Sequence, residues 1–337
     1  MMNRGLFSSI LNNEEYKKSD KEWIVELQRY HMYWYDLVVN PGEVSDYFNT
    51  KKLIVNYLRY VKRCVEESLE KRFIYFICSR TKVRFNLKKK PTFNPITRTV
   101  KIHILLGGER KKSSFKVRFY DESSNRFYYP NIVLTEKYIT ITDPVGNLTT
   151  ASVHDFLSSS RVSLGLCSNI EYVGYTENPH SRPTNGAHTG LNEVLYKVSN
   201  ESFDTLIYFN VFKVTAKASS DNSMLNFMFA NSMTDEIGAE LEGKVIEKCF
   251  ILYFDSDNQT KNKEKERSEL TNNLLDMVDN NKINAVHVGY GFEEAHDYVF
   301  FSSSAIPPSH KHIFNVRVVN GELDINKGSG QFEAVGW

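Results

Sequence analysis

The 48 residues from Lys71 to Arg118 are both strongly basic and patterned as β-strands, and this combination constrains the fold more than any other feature of the chain. The segment contains 15 Lys or Arg residues and a single acid, Glu109, so its net charge is +14. Within it, Lys82, Arg84 and Asn86 alternate with apolar residues. Alternation with a period of two predicts a sheet that has one apolar face and one cationic face.

The rest of the chain has the opposite charge. It carries 27 basic and 40 acidic residues, although the whole sequence of 337 residues has a net charge of only +1. A cationic sheet face suits a polyanion such as a nucleic-acid backbone, because each neutralised phosphate releases counterions. The alternative is a solvated strand face whose charge is balanced by acidic neighbours. We predict nucleic acid as a partner, bound by Lys82, Arg84, Lys88, Lys89, Lys90, Arg110, Lys111, Lys112, Lys116 and Arg118.

The composition excludes several protein classes. Hydrophobic residues make up 41% and charged residues 25% of the chain, which is a globular balance. The longest apolar runs, Phe73–Cys78 and Cys249–Phe254, are much shorter than the roughly 20 residues that a membrane helix needs. The first residues lack the apolar core of a signal peptide, and the four cysteines form no Cys-x-x-Cys pair. We therefore predict a cytoplasmic protein that does not contact a membrane.

The order of sequence patterns predicts an α+β protein in three parts. Residues 1–155 are expected to form a nucleic-acid-binding α+β domain, in which N-terminal helices precede a basic antiparallel sheet. Residues 156–265 are expected to form a small α/β domain, and residues 266–337 a strand-rich extension. The helices are predicted at 19–34, which starts with a capping box, and at 50–69, 191–198, 234–253 and 270–278. Strands outside the basic segment are predicted at 132–134, 138–142, 161–166, 170–174, 203–214, 285–288, 297–301 and 312–318.

One stretch carries a candidate catalytic motif. Residues 172–182 read Tyr-Val-Gly-Tyr-Thr-Glu-Asn-Pro-His-Ser-Arg. This stretch resembles the second half of the signature of the GIY-YIG endonucleases, with Tyr172, Gly174, Thr176 and Arg182 at matching positions and His188 shortly after them. Further along the chain, Glu247 and Asn258 match the glutamate and asparagine of that family. The resemblance covers about residues 160–262 and implies a small GIY-YIG-like α/β fold there.

The resemblance implies a metal-dependent endonuclease that hydrolyses phosphodiester bonds in double-stranded DNA, with a role in restriction or phage defence. Arg182 would bind the phosphate, because its planar guanidinium matches two phosphate oxygens. Tyr172 would orient the attacking water and His188 would move a proton. Glu247 would hold Mg²⁺ or another divalent cation. Gly174, Thr176 and Asn258 would support this site, and a homodimer is compatible with it.

Two other functions stay open at this stage. Cys167 stands where the first motif of the family has a tyrosine, which favours a nucleic-acid-binding protein that does not cut. A protein-interaction subunit whose basic sheet docks an acidic partner is the other alternative. Each catalytic candidate also has a structural alternative, since Tyr172 suits a packed strand and Glu247 suits a solvated strip beside Glu240 and Lys244.

Overall fold

A computed structural model describes residues 3–39, 50–67, 69–70, 72–121, 124–179, 198, 200–219, 226–259 and 263–328. Its largest element is a nine-stranded mixed sheet. The strands are β1 (Asp20–Trp34), β2 (Phe73–Thr81), β12 (Ser168–Thr176), β13 (Phe203–Ser219), β14 (Asn226–Ala230), β15 (Ile283–Gly291), β16 (Phe301–Ser302), β17 (Lys311–Val319) and β18 (Glu322–Lys327). Their order is β16-β12-β2-β13-β1-β15-β17-β18, and β14 pairs with the end of β13.

This central sheet takes strands from all three predicted parts of the chain. β2 lies between β12 and β13, and β1 lies between β13 and β15. Most neighbours are antiparallel, but β1 and β15 are parallel, as are β12 and β16. The predicted boundaries near residues 155 and 265 therefore do not separate independent sheets. The physical reason is that β2 is buried along nearly its whole length, so it needs neighbours on both edges and covering layers on both faces.

Helices cover both faces of the central sheet. The helices of the described residues are α1 (Glu14–Lys18), α2 (Asp36–Val39), α3 (Thr50–Glu67), α4 (Val153–Ser159), α5 (Asn231–Thr234), α6 (Ala239–Phe254) and α7 (Lys263–Asn281). Short 3-10 helices occupy Ser8–Asn12, Asp257–Gln259 and Asp297–Val299. On one face, Phe250 and Phe254 of α6 contact Phe76 of β2, with ring centroids 5.3 and 5.8 Å apart. On the other face, buried apolar residues of α3 join a cluster with Tyr75, because successive strand residues point to opposite faces.

Three smaller sheets lie between β2 and α4 in the sequence, and we call them the outer sheets. Their strands are β3 (Val83–Phe85), β4 (Thr92–Asn94), β5 (Thr99–Leu106), β6 (Lys111–Val117), β7 (Phe119–Asp121), β8 (Arg126–Tyr128), β9 (Asn131–Leu134), β10 (Tyr138–Thr142) and β11 (Leu148–Ser152). β5 pairs with β6 along one edge and with β3 and β4 along the other. Phe156 of α4 packs under this sheet against Phe85 and Phe115.

The mixed α and β content predicted from the sequence is confirmed, and so are the helix that begins at Thr50 and the strands of the basic segment. The predicted helix over residues 19–34 is wrong, because these residues form β1. β1 is buried on both faces where Trp23, Ile24 and Val25 cross the sheet, and a strand buried on both faces also shows apolar residues at helical spacing. The capping-box serine, Ser19, instead ends α1 by donating to the Glu15 carbonyl.

Three other predicted elements differ from the structure or lie outside the described residues. Residues 161–166 form no strand; the N–H groups of Leu164 and Leu166 donate to the Asp297 carboxylate instead of to a neighbouring strand. The predicted strand at 297–301 is mostly a 3-10 helix, since only Phe301–Ser302 pairs. The predicted helix 191–198 lies outside the described residues except for Val198.

Candidate nucleic-acid interface

Tyr172 lies in β12 on the face of the central sheet that α3 covers. Its ring stacks on Tyr75 at a centroid distance of 6.0 Å, and it packs against the apolar cluster that contains Val61 of α3. Next to it, Gly174 leaves room for Tyr75, because an added Cβ would come within 2.4 Å of that ring. Tyr172 and Gly174 therefore form a packed part of the sheet, which was the structural alternative to a catalytic role.

Glu247 lies on α6, which packs on the other face. The backbone N–H of Tyr175 in β12 donates to its carboxylate. The pKa of Glu247 is raised to about 7, chiefly by burial and also by the Glu266 carboxylate, while the Lys248 charge acts in the opposite direction. Such a carboxyl group is half protonated near neutral pH.

The predicted catalytic set is thus not brought together among the described residues. Tyr172 and Glu247 lie on opposite faces of one sheet, separated by the thickness of that sheet. Arg182 and His188 lie outside the described residues. Hydrolysis of a phosphodiester needs the water-activating group and the metal on the same side of the scissile bond, and this pair does not meet that requirement.

The surroundings of Glu247 do not fit a divalent-cation site. Within the described part of the chain, no three His, Cys, Asp or Glu side chains are close enough together to hold a metal ion. The Glu266 carboxylate, whose charge acts on Glu247, pairs with Lys248. A hard cation prefers several oxygen ligands, so we assign no metal-dependent step to this carboxylate.

Thr176 and Asn258 have clear structural roles. The hydroxyl of Thr176 accepts a hydrogen bond from the N–H of Asn178, which ends β12 with a turn. Asn258 donates to the Glu171 carboxylate at 2.6 Å, and Gln259 makes two 2.8 Å hydrogen bonds with the backbone of Val173. The segment after α6 is therefore tied to β12 through Asn258 and Gln259, and nothing in the sequence pattern indicated Gln259.

The cationic face predicted for the basic segment is present on β5 and β6. Val100, Ile102 and Ile104 of β5 point inward and are buried, whereas Lys101 and Lys116 are exposed and directly opposite each other in the β5–β6 register. Lys112 points to the same side as Lys116, because the two residues are four positions apart in β6 and every second residue of a strand points to the same side.

Lys89, in the turn after β3, lies close enough to His103 of β5 for its charge to act on the imidazole. Partial burial lowers the pKa of His103, and the charges of Lys89 and Lys101 lower it further. Lys89 follows β3 in a turn that Asn86 holds, since the Asn86 carbonyl accepts from the Lys89 N–H at 3.1 Å. Lys89, Lys101, His103, Lys112 and Lys116 therefore form one positive surface, which we call the basic face.

Three of the ten predicted nucleic-acid contacts need correction. Arg84 is buried, donates to both oxygens of the Asp204 carboxylate at 2.8 and 2.9 Å, and lies over the Trp34 ring. Arg110 pairs with Glu136 at 2.6 Å, and Lys82 is half-buried. Arg84 turns away from solvent because β3 lies beside Asp204 of β13, whose buried carboxylate also accepts from the Val83 N–H.

The other predicted cations are exposed, and two more join them. Arg98 and Lys101 were within the basic segment but had not been singled out. Across the described ranges, none of these side chains forms an ion pair: Lys88, Lys89, Lys90, Arg98, Lys101, Lys111, Lys112, Lys116 and Arg118. Within the described ranges, the outer sheets therefore carry nine exposed cations that have no ion-pair partner.

A pocket that the sequence did not reveal borders these cations. Its volume is about 680 Å³, and it lies between the turn at Leu87–Pro91 and the segment Tyr129–Leu134 that leads into β9. Tyr129 is 53% exposed and lies 5.0 Å from the Phe93 ring, which is 38% exposed. A second exposed pair, Tyr120 and Phe127, lies beside Arg118. Exposed aromatics next to cations are typical of surfaces that bind nucleic acid.

A buried polar network fixes the outer sheets to the central sheet. His154 of α4 lies between the Asp204 carboxylate, 2.9 Å away, and the Tyr298 hydroxyl, 2.8 Å away. Asp204 also binds Arg84 and accepts from the Val83 N–H. Burial acts to raise the pKa of Asp204, but the hydrogen bonds from His154 and Arg84 and the guanidinium charge of Arg84 outweigh it and hold this pKa well below its usual range.

No helix in the described part of the chain has the length and apolarity to cross a membrane. No protein-family model matches the chain, and no curated protein or solved structure was found to be similar to it. The GIY-YIG-like character of residues 160–262 therefore stays a prediction from the motif.

Proposed function

We propose that this protein binds nucleic acid through the basic face of β5 and β6. The observation that carries the proposal is that Lys101, Lys112 and Lys116 of β5 and β6 are exposed on one side of the sheet and have no ion-pair partner among the described residues. Fixed on a rigid sheet, such charges match a phosphate backbone, and binding gains free energy because counterions are released.

The Lys101–Lys116 pair supports this proposal independently. These lysines are directly opposite in an antiparallel register, and like charges in that position destabilise a sheet. A bound polyanion removes the repulsion. Binding of a nucleic acid therefore explains why the sheet contains a pair of facing lysines that destabilises the free protein.

The proposal is for binding, and hydrolysis is not part of it. Tyr172 and Glu247 lie on opposite faces of the central sheet, so we assign no hydrolytic step to these two side chains together. The second function named from the sequence, a nucleic-acid-binding protein that does not cut, thus has better geometric support than the endonuclease.

The proposal is tested by fluorescence anisotropy with a labelled 20-nucleotide DNA or RNA at several salt concentrations. We expect binding to weaken steeply with salt, and the K101Q/K116Q variant to bind more weakly with a shallower slope. Each lost phosphate contact lowers the slope of log K against log salt by about 0.7 on a single strand and about 0.9 on a duplex. The matched control is K17Q/K18Q, which removes two exposed lysines from α1 and is expected to bind normally.

Two results would overturn the proposal. One is salt-sensitive binding that is equal in K101Q/K116Q, K17Q/K18Q and the wild type, which would place the nucleic acid elsewhere. The other is tighter binding to polyglutamate than to the oligonucleotides, which would identify an acidic protein partner for the basic face.

A further inference from the structure

We infer that the nucleic acid bound here is single-stranded, and that one of its bases enters the pocket beside Tyr129 while its phosphates lie on the basic face. This inference rests on the proposed function and specifies its substrate class. It departs from the double-stranded DNA predicted from the motif.

The first argument is the chemistry of the pocket. Its volume of about 680 Å³ lies within the range of roughly 300–1,000 Å³ in which proteins hold small organic groups. It is lined by Lys89, Lys90, Tyr129, Asn131 and apolar side chains, and none of its lining residues is acidic. A planar aromatic ring that carries a nearby negative charge, such as a nucleotide, fits this set of contacts.

The second argument is the exposed aromatic pair. Tyr129 and Phe93 contact each other at 5.0 Å but keep 53% and 38% of their surface exposed. Bases stack on such rings whatever their sequence, because every base has a π-face. The bases of a duplex are already stacked and paired inside the helix, so a base reaches a pocket only after it is unstacked.

The third argument is that Lys89 belongs to both surfaces. It lines the pocket, and its charge also acts on His103 at the centre of the basic face. A single strand can therefore pass from Lys101 and Lys116 to Lys89 with its phosphates in contact with cations, and then place a base against Tyr129. A second stacking position is available where Tyr120 and Phe127 lie beside Arg118.

The test compares four labelled 20-mers in anisotropy titrations: single-stranded DNA, single-stranded RNA of the same sequence, the DNA duplex, and a DNA strand with abasic sites in place of its bases. We expect both natural single strands to bind more tightly than the duplex and the abasic strand. The RNA and DNA strands show which sugar the site prefers.

The variant Y129A is expected to weaken single-strand binding by about five-fold or more, since stacking contributes at this level for each base. Binding of the duplex and of the abasic strand should hardly change in Y129A. Y129F should retain binding, and Y129W should show fluorescence quenching with the single strands beyond any quenching seen in the wild type, which contains Trp23, Trp34 and Trp337. The matched control is Y60A, which removes a tyrosine of α3 that is 56% exposed.

The two proposals fail in different ways. If K101Q/K116Q weakens binding but single strand, duplex and abasic strand bind equally, and Y129A binds as the wild type does, the inference is overturned and the proposed function stands. If no oligonucleotide binds with a salt dependence that K101Q/K116Q reduces, the proposed function fails as well. Thermal unfolding of Y129A and Y60A verifies that both variants are folded.

Discussion

At the scale of single residues, Glu247 makes a pH-dependent contribution to stability. Its pKa is about 7 in the folded protein because of burial, against an ordinary value of 4.5. The folded state therefore binds more protons than the unfolded state between these values, and stability falls as pH rises through this range. We expect E247Q to unfold at the same urea concentration as the wild type at pH 4.5, and to be more stable by on the order of 2–3 kcal/mol at pH 8.

The control for this prediction is E240Q on the same helix. Glu240 is exposed and its pKa is lowered by a hydrogen bond from Lys244, so its substitution should bring no gain at pH 8. An E247Q variant that is no more stable at pH 8 than at pH 4.5 would contradict the placement of this carboxyl group against β12. Oligonucleotide binding by E247Q should be unchanged, because Glu247 is not part of the basic face.

The same scale shows what the sequence can and cannot reveal about a site. The exposure of Lys101 and Lys116 follows from local alternation, which depends only on neighbouring residues. The burial of Arg84 does not, because its partner Asp204 is 120 positions further along the chain. Tyr129 and Lys89 likewise meet at one pocket only in the folded chain. Apart from the high aromatic content of the chain, nothing in the sequence indicated that these two residues would line one pocket.

At the scale of elements, β1 and α3 show why one helix was predicted correctly and the other was not. α3 has one buried side, with Leu58, Val61 and Val65 at helical spacing, and its pattern has a single interpretation. β1 is buried on both faces where Trp23, Ile24 and Val25 cross the sheet, so apolar residues occur on both of its faces. Periodicity distinguishes helix from strand only when one face is polar.

The β5–β6 pair is expected to be more stable without its charges. K101Q/K116Q removes repulsion between lysines that face each other, and such pairs alter stability by about 0.2–1 kcal/mol. Thermal unfolding in low salt should show a higher melting temperature for this variant, and the difference should shrink in 1 M salt because the repulsion is screened. Lower stability of K101Q/K116Q in low salt would show that other contacts of these side chains outweigh their repulsion.

The pKa of His103 in β5 can be used to test whether phosphates bind to the neighbouring lysines. Partial burial and the charges of Lys89 and Lys101 lower its pKa in the free protein. Phosphates bound to these lysines should raise the pKa of His103, and by linkage binding should strengthen as pH falls. The measurement is an NMR titration of the histidine rings with and without oligonucleotide, in which His310, far from the outer sheets in sequence, serves as the control. An unchanged His103 in a saturated complex would place the phosphates elsewhere.

At the scale of the whole molecule, the charge asymmetry of the sequence has two separate outcomes. Part of the basic segment turns inward, where Arg72, Arg80 and Arg84 meet carboxylates from later parts of the chain. The remaining cations stay on the surface. A net charge of +14 in 48 residues was thus a sound indication of a cationic surface, but it overestimated the number of these cations that lie on the surface.

The buried network around Asp204 should determine whether the outer sheets stay attached. D204N leaves Arg84 and His154 without their negative partner inside the protein, and breaking a buried pair in this way costs about 3–5 kcal/mol. We expect this loss in urea unfolding at pH 7. Because the pKa of Asp204 is held below its usual value of 3.8, the wild type should approach the variant only as pH falls below about 4. Equal stability of both proteins at pH 7 would contradict the network.

The position of β1 has a consequence for synthesis on the ribosome. Its partners are β13, which begins at Phe203, and β15, which begins at Ile283. β1 therefore stays unpaired until these two later strands have been translated. Contacts of such long sequence separation are slow to form, and an unpaired apolar strand is prone to aggregation during the wait. Efficient production of this protein in cells should therefore depend on chaperones that shield β1 until β13 and β15 have been synthesised.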